Sequence, residues 1–175
     1  MKDYETIESG MTFGPYDKND VFRIEKSELY QKVFIHDLRT LEFVIWHNEN
    51  LVFLEAKTST PDYRNTNESD EKKKKYKKFI NSIAEKFEDS IDLYFSLITG
   101  RQIDSNFSEK LLKLDYSKIN IVLVVVIKNA YGDSLIHYRD KLNTMLRVKM
   151  KVWNIKNILF IDEEKAQEKG FVREK

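Results

Sequence analysis

The stretch Leu41-Glu-Phe-Val-Ile-Trp-His-Asn-Glu-Asn-Leu-Val-Phe-Leu-Glu-Ala-Lys57 decides the fold. Two runs in it, residues 41–46 and 51–57, are rich in β-branched and aromatic side chains, and each predicts a strand. Residues 47–50 lie between them and include Asn residues, which tolerate the positive φ of a tight turn. The stretch therefore predicts a β-hairpin. Because both of its faces carry apolar side chains, we expect it inside a layered structure.

The register of this hairpin brings charged side chains together. With the turn centred between Asn48 and Glu49, Glu42 faces Glu55, and their Cβ atoms lie about 5 Å apart. Lys57 is two residues beyond Glu55 and points to the same face. Like charges opposite each other destabilise a strand pair, so something must compensate. One interpretation is a divalent cation held by the carboxylate oxygens; the other is a structural ion network in which Lys57 alone neutralises the pair.

The segments after the hairpin alternate between helical and strand patterns. A polar loop at 58–71 leads into a long amphipathic helix. Its apolar positions recur in steps of three and four: Tyr76, Ile80, Ile83, Phe87, Ile91, Tyr94 and Ile98. The remaining patterns predict helices at 71–98, 108–114, 134–149 and 163–169, and strands at 119–128 and 155–162.

The segments before the hairpin are harder to assign. Residues 1–20 carry turn-forming Gly10, Gly14 and Pro15 and predict an irregular lead-in. Residues 21–25 and 28–35 are compatible with strands. Early strands joined by hairpins and later strands joined by helices indicate an α/β fold. We expect a mixed central β-sheet with an early β-hairpin, flanked by helices on both faces, as a single domain over 1–175.

Composition excludes several classes of site. The chain of 175 residues has no Cys, which excludes disulfides, thiolate metal sites and cysteine nucleophiles. Its three His residues are widely spread, which argues against a His-based zinc site. No nucleotide-binding glycine motif is present. The longest apolar run, 121–127, is far shorter than the ~20 residues of a membrane span, and the polar start of the chain is unlike a signal peptide. We expect a cytoplasmic protein without membrane contact.

Charge is distributed unevenly along the chain. Residues 1–71 hold 15 acids and 8 bases, whereas residues 72–175 hold 14 acids and 22 bases. Six lysines stand near the start of the long helix: Lys72, Lys73, Lys74, Lys75, Lys77 and Lys78. They predict a patch that binds nucleic-acid phosphates, and the alternative is a solvated helix face. Lysines oppose the dipole at a helix N-terminus, which favours a purpose other than helix stability.

The hairpin resembles the core of the PD-(D/E)xK nucleases. That pattern is an acidic residue on one strand followed by (D/E)-x-K on the next. Glu42 matches the first acid, and Glu55-Ala56-Lys57 matches the second part. The family core of strands, helix and strand is also similar to the order predicted here. Two positions depart from the family pattern, since Glu42 stands in place of Asp and Leu41 in place of Pro.

The resemblance implies a restriction-endonuclease-like fold and a metal-dependent mechanism. Glu42, Glu55 and the backbone carbonyl of Ala56 would hold Mg²⁺ or Mn²⁺, and Lys57 would position or polarise the attacking water. The family often adds an acid from its first element. Glu25 is the candidate here, with Glu28 behind it, although either also fits a plain surface acid.

Three functional hypotheses follow. The first is a metal-dependent nuclease that hydrolyses phosphodiester bonds in DNA, with RNA as the alternative substrate. The second is a catalytically inactive protein of the same fold that acts as a nucleic-acid- or protein-binding subunit. The third is an unrelated α/β interaction domain with a chance Glu-x-Lys. The small size also suggests a homodimer or a partner subunit, because many nucleases of this family cut two strands as dimers.

Overall fold

The architecture is a five-stranded mixed sheet with a separate two-stranded hairpin and helices. The structure, a computed structural model, describes residues 3–61, 70–130 and 132–174. The strands are β1 (Asp3–Glu8), β2 (Met11–Asp17), β3 (Val21–Phe22), β4 (Phe43–His47), β5 (Asn50–Lys57), β6 (Asn120–Ile127) and β7 (Asn157–Asp162). The α-helices are α1 (Glu28–Val33), α2 (Asp70–Ile98), α3 (Glu109–Leu112), α4 (Ile136–Met145), α5 (Arg147–Val152) and α6 (Glu163–Glu168).

The central sheet has the order β3-β4-β5-β6-β7. Strands β3, β4 and β5 pair antiparallel, and β5, β6 and β7 pair parallel. The predicted hairpin register is confirmed: Phe43 faces Leu54 and His47 faces Asn50. Its turn residues, Asn48 and Glu49, both have positive φ, at 48° and 59°. This matches the geometry of the tight two-residue turns that connect twisted strands.

Each face of the sheet packs against a different layer. On β5, Phe53 belongs to the core shared with α1 to α4, whereas Leu54 belongs to the core shared with β1–β2 and α6. Strand side chains alternate between faces. Glu55 and Lys57 therefore point into the larger helical layer, and Ala56 points to the layer formed by the hairpin β1–β2 and α6.

The long helix α2 forms as its apolar spacing predicts. Its buried side chains include Ile80, Ile83, Phe87, Ile91 and Tyr94. It crosses the sheet antiparallel to β5, because Tyr94 contacts Phe53 while Lys86, earlier in the helix, contacts Glu55, later in the strand. The first turns of α2 consequently extend past the carboxyl end of β5. There Tyr76 packs against His137 and Tyr138 at the start of α4.

Two predictions for the N-terminal part are wrong. Residues 1–20 are not an irregular lead-in, since β1 and β2 pair as an antiparallel hairpin around Ser9 and Gly10, which both have positive φ. Gly14 and Pro15, read as turn markers, lie inside β2. The segment 28–35 is helical, because Ser27 caps α1 by accepting a hydrogen bond from the Tyr30 backbone N–H. Residues 21–25 form only the two-residue strand β3.

The C-terminal predictions hold at the level of elements. The helix predicted at 134–149 is divided at Leu146 into α4 and α5. Helices cover both faces of the sheet as expected, but the hairpin β1–β2 shares the second face with α6. Residues 62–69 of the predicted polar loop lie outside the described residues. None of the helices in the described ranges is long and apolar enough to cross a membrane.

Candidate active site

Glu55 is a fully buried carboxylate held between two lysines. Its Oε1 lies 2.5 Å from Lys57 Nζ and 2.8 Å from Lys86 Nζ. Its Oε2 is buried and has no hydrogen-bond partner among the residues that the structure describes. Burying a carboxylate without compensation is costly, and the contacts with both lysines offset that cost. The two lysines are 31% and 19% exposed, which puts one side of this group within reach of solvent.

Lys86 is a site residue that the sequence analysis missed. It lies on α2 directly before Phe87, at the edge of the apolar stripe that faces the sheet. A lysine at the border of a buried helical face must find an anion or extend to water. The position of Lys86 therefore indicated an ion pair, but which acid would be its partner depends on how α2 crosses β5. Lys86 contacts Glu55 from the helix while Lys57 contacts it along the strand.

Three further carboxylates gather beside Glu55. Glu8, Glu25 and Glu42 each offer an oxygen within 4.8 Å of the others, and all three are partly buried. They come from separate elements. Glu8 ends β1, Glu25 lies in a single 3₁₀ turn at Ile24–Lys26, and Glu42 directly precedes β4. We call these three residues the acidic cluster. Glu42 and Glu25 were predicted from the sequence, and Glu8 was not.

Arg23 is the counter-ion of two members of the acidic cluster. Its Nη2 lies 2.6 Å from Glu8 Oε1 and also pairs with Glu25. Its Nη1 donates to Tyr4 Oη and to Thr6 Oγ1, at 3.1 and 2.7 Å. The side chain is only 9% exposed, so these bonds fix the guanidinium against the inner face of β1. Charge-assisted bonds of this kind are stronger than neutral ones, and they couple the hairpin β1–β2 to the site.

Among the described residues, no cation forms a salt bridge with Glu42 as Arg23 does with Glu8 and Glu25. Burial raises the pKa of Glu42 to about 8, with further increases from the charges of Glu55, Glu25 and Glu8, while Lys86 acts in the opposite direction. The carboxyl is therefore largely protonated at neutral pH. Phe43 faces Leu54 in the confirmed register, so the next pair in the same register is Glu42 with Glu55. The sequence thus predicted the mutual repulsion of these two acids, which adds to the larger effect of burial on the pKa of Glu42.

The chemistry of this group fits a hard divalent cation. Carboxylate oxygens are the ligands that Mg²⁺ and Mn²⁺ prefer. Within the described part of the chain, Glu55 Oε2 is a buried oxygen without a hydrogen-bond partner, which is unusual for a charged group and suits a metal ligand. The arrangement differs from the predicted ligand set in one respect. The three oxygens that converge belong to Glu8, Glu25 and Glu42, while Glu55 lies next to them, held by its lysines.

The remaining predicted residues lie around this centre. Glu28 is exposed and accepts a hydrogen bond from Ser105 Oγ, 2.6 Å away, so it does not join the cluster. The Ala56 side chain packs in the opposite core, and the role of its carbonyl stays a prediction. The six lysines at 72–78 are exposed on the first turns of α2. At 1.5 Å rise per residue they lie about 12–21 Å along the helix from Lys86.

Comparison with protein-family models, with curated proteins and with solved structures found no match in any of the three.

Proposed function

We propose that this chain is a metal-dependent nuclease with a restriction-endonuclease-like fold, acting on phosphodiester bonds in DNA. The observation that carries the proposal is the meeting of Glu42 with Glu55-x-Lys57 at the carboxyl end of the central strand β5, beside two more carboxylates. The strand order supports the fold assignment, because an antiparallel β3-β4-β5 unit is followed by helix α2 and the parallel strand β6.

The cation would be held by the acidic cluster together with Glu55 Oε2. A divalent cation at this position supplies an activated water at neutral pH and neutralises charge on a phosphoryl oxygen. The chain's own contribution is to present several carboxylate oxygens from β1, the turn at Glu25 and the start of β4. Arg23 orients Glu8 and Glu25 before any cation arrives.

Lys86 and Lys57 have different roles at Glu55. Lys86 can keep Glu55 Oε1 as its partner throughout, because it reaches the carboxylate from the rigid helix α2. Lys57 is the more exposed of the two and lies at the end of its strand. It is therefore the cation that can turn toward a phosphate oxygen or a water without leaving Glu55 unpaired. Stabilisation of developing charge by such a preplaced cation is the term that most often dominates catalysis.

The test is cleavage of a labelled panel of DNA and RNA in Mn²⁺. We expect wild-type protein to cut DNA, and Glu55→Gln and Lys57→Ala to lower turnover by a factor of about 10²–10³. Glu168→Gln, an exposed change of the same type on α6, is the matched control and should keep full activity. If wild-type protein cuts no member of the panel, the inactive binding subunit replaces the nuclease. If Lys57→Ala cuts as fast as wild type, the assignment of the Glu-x-Lys is wrong.

A further inference from the structure

A pocket of about 550 Å³ lies beside the acidic cluster. Three chain segments line it: β1, the segment from Lys18 to Lys26, and the loop between α2 and α3. The side chains that carry its chemistry are Tyr4, Lys18, Arg23, Lys26, Asn106 and Phe107. We call it the Lys18–Lys26 pocket. Its volume is in the range of pockets that hold small organic ligands.

The charge of this pocket selects an anion. Its lining includes three cations, Lys18, Arg23 and Lys26, and no carboxylate. Arg23 is already neutralised by Glu8 and Glu25, so the excess positive charge belongs to the two lysines. Both lysines are exposed, and neither makes an ion pair or side-chain hydrogen bond with another residue in the described ranges. Their ammonium groups can therefore bind an oxyanion without breaking an ion pair or hydrogen bond among the described residues.

The other lining groups suit a phosphate that carries an organic ring. Phe107 is half-buried and fixed edge-on against Phe22 and Tyr94, with ring centroids 4.9 and 5.3 Å away. Tyr4 is fixed from the other side by the bond from Arg23. Nucleic-acid strands are bound by this combination of cations, for their phosphates, and rigid aromatic faces. An amide, here that of Asn106, is a further common donor to phosphate oxygens.

Arg23 joins this pocket to the acidic cluster. Its two terminal nitrogens reach Tyr4, at the pocket, and Glu8, in the cluster. Because both bonds come from one guanidinium, Tyr4 Oη and Glu8 Oε1 are separated by no more than two hydrogen bonds, of 3.1 and 2.6 Å, and the width of that group. In duplex DNA one strand advances about 3.4 Å per nucleotide, so this separation corresponds to neighbouring nucleotides. One strand can therefore occupy both places.

We propose that the Lys18–Lys26 pocket binds a phosphate of the same nucleic-acid strand that is cleaved at the acidic cluster. The assignment to a strand rests on the proposed function, whereas the affinity for phosphate does not. Lys18 and Lys26 act as binding residues, and they set which part of the strand reaches the cluster. The lysines of α2 lie on the other side of Glu55, so the pocket would be a second and separate contact with the strand.

The experiment measures binding without cleavage. Wild-type protein in EDTA is titrated with a short fluorescent single-stranded DNA at several salt concentrations. Lys18→Ser/Lys26→Ser removes two phosphate contacts, so the slope of log K against log[salt] should shrink by about 1.4, with at least tenfold weaker binding at low salt. The matched control is Lys32→Ser/Lys169→Ser, which removes the same charge from two exposed lysines outside the pocket and should keep the wild-type slope. Equal slopes in the two double variants would overturn the proposal.

Inorganic phosphate and thymidine monophosphate identify the source of the phosphate. We expect each to raise the melting temperature of wild-type protein slightly and to leave that of Lys18→Ser/Lys26→Ser unchanged. If inorganic phosphate alone binds as tightly as the DNA, the pocket is a free-phosphate site and the assignment to a strand is wrong. Because no metal is present, this outcome is independent of the cleavage assay. A protein that cuts nothing but loses DNA affinity through Lys18 and Lys26 would refute the nuclease and retain the pocket.

Discussion

Glu42 carries the clearest pH dependence in the molecule. Its pKa is about 8 in the folded protein, against an ordinary value of 4.5. Between these values the folded state retains a proton that the unfolded state releases. The free energy of unfolding of the metal-free protein should therefore be highest near pH 5 and fall as the pH rises toward 8. Glu42→Gln mimics the protonated carboxyl, so it should remove most of this fall and be more stable than wild type at pH 8.5.

Urea unfolding in EDTA at a series of pH values checks this prediction. Glu168→Gln changes an exposed carboxylate of α6 and should keep the wild-type pH profile. An unaltered profile in Glu42→Gln would mean that another group carries the titration.

The pair of lysines on Glu55 predicts a non-additive loss of stability. In Lys57→Ala or Lys86→Ala one ammonium remains on Glu55 Oε1, so each single variant should lose about 1–2 kcal/mol. Removal of both leaves a buried carboxylate uncompensated, which costs about 3–5 kcal/mol. Replacing Glu55 by Gln in the double variant should recover part of that loss, since the unpaired charge is then gone.

Denaturant unfolding without metal of wild type, Lys57→Ala, Lys86→Ala and the double variant forms the cycle that isolates this coupling. The variant that also carries Glu55→Gln is measured in the same way. Lys113→Ala breaks an exposed pair with Glu109 and serves as a control with little effect. If the double variant loses no more unfolding free energy than the two single variants lose together, the lysines act independently.

Sequence reasoning reached some residues of this site and not others, for identifiable reasons. Glu42, Glu55 and Lys57 belong to one hairpin, whose register follows from a two-residue turn and from apolar residues on both faces. Glu8 and Lys86 come from elements distant in the chain, and their approach to the hairpin is set by packing. Strand β1 was also difficult to predict, because exposed and partly buried residues alternate along it without forming an apolar face.

At the scale of elements, α2 connects the site to the lysine run. Lys75 and Lys72 precede Lys86 by eleven and fourteen residues, close to three and four whole turns of 3.6 residues. They therefore project from α2 on the side that carries Lys86, although Lys75 also pairs with Glu71 at 2.8 Å. Lys73 and Lys77 project from the opposite side. The six lysines of the predicted patch are thus not equivalent, and the contact of Lys86 with Glu55 identifies which of their faces lies on the side of the site.

This geometry predicts that one face of α2 binds nucleic acid. Lys72→Ser/Lys75→Ser should weaken binding of single-stranded DNA and shrink the salt slope by about 1.4, because two phosphate contacts are lost. Lys73→Ser/Lys77→Ser removes the same charge from the other face and should change the slope little. Fluorescence anisotropy at several salt concentrations distinguishes the two. Equal losses would indicate a diffuse electrostatic attraction without a defined face.

The N-terminal elements show where local patterns mislead. In 28–35 the residues fit a strand and a short helix equally well, and the Ser27 cap together with the burial of Leu29 selects the helix. In 3–17 the glycines marked turns in the sequence, yet only Gly10 lies in the connection between β1 and β2. Other segments, by contrast, were predictable: α2 is long enough for its period to be unambiguous, and β6 and β7 are short apolar runs rich in Val and Ile.

At the scale of the whole molecule, the acidic cluster ties together parts that are far apart in the chain. Glu8 belongs to the hairpin β1–β2, which covers one face of the sheet, while Lys86 belongs to the helical layer on the other. Glu25 and Glu42 lie at the edge between these layers. A ligand that bridges the cluster would therefore stabilise the packing of the whole chain, and its binding should appear as a change in global stability.

Saturating Mg²⁺ or Mn²⁺ should raise the melting temperature of the protein. A ligand that binds only the folded state stabilises it by about 2.7 kcal/mol at a hundred times its Kd, which corresponds to about 5–10 °C for a chain of this length. The cation must displace the proton of Glu42, so the increment should grow from pH 6 to pH 8.5. Differential scanning fluorimetry with and without the metal, at both pH values, measures it.

The increment in melting temperature, measured in variants of the acidic cluster and of Glu55, shows where that cation binds. Glu8→Gln and Glu55→Gln each remove one oxygen ligand, so both should reduce the increment strongly. Asp3→Asn, an exposed change on the same strand as Glu8, should retain it. Glu42→Gln should lose the increment at both pH values, because it abolishes the ligand as well as its titration. An increment of wild-type size in Glu55→Gln and Glu8→Gln would place the cation elsewhere, and the proposed catalytic centre would lose the metal on which its chemistry depends.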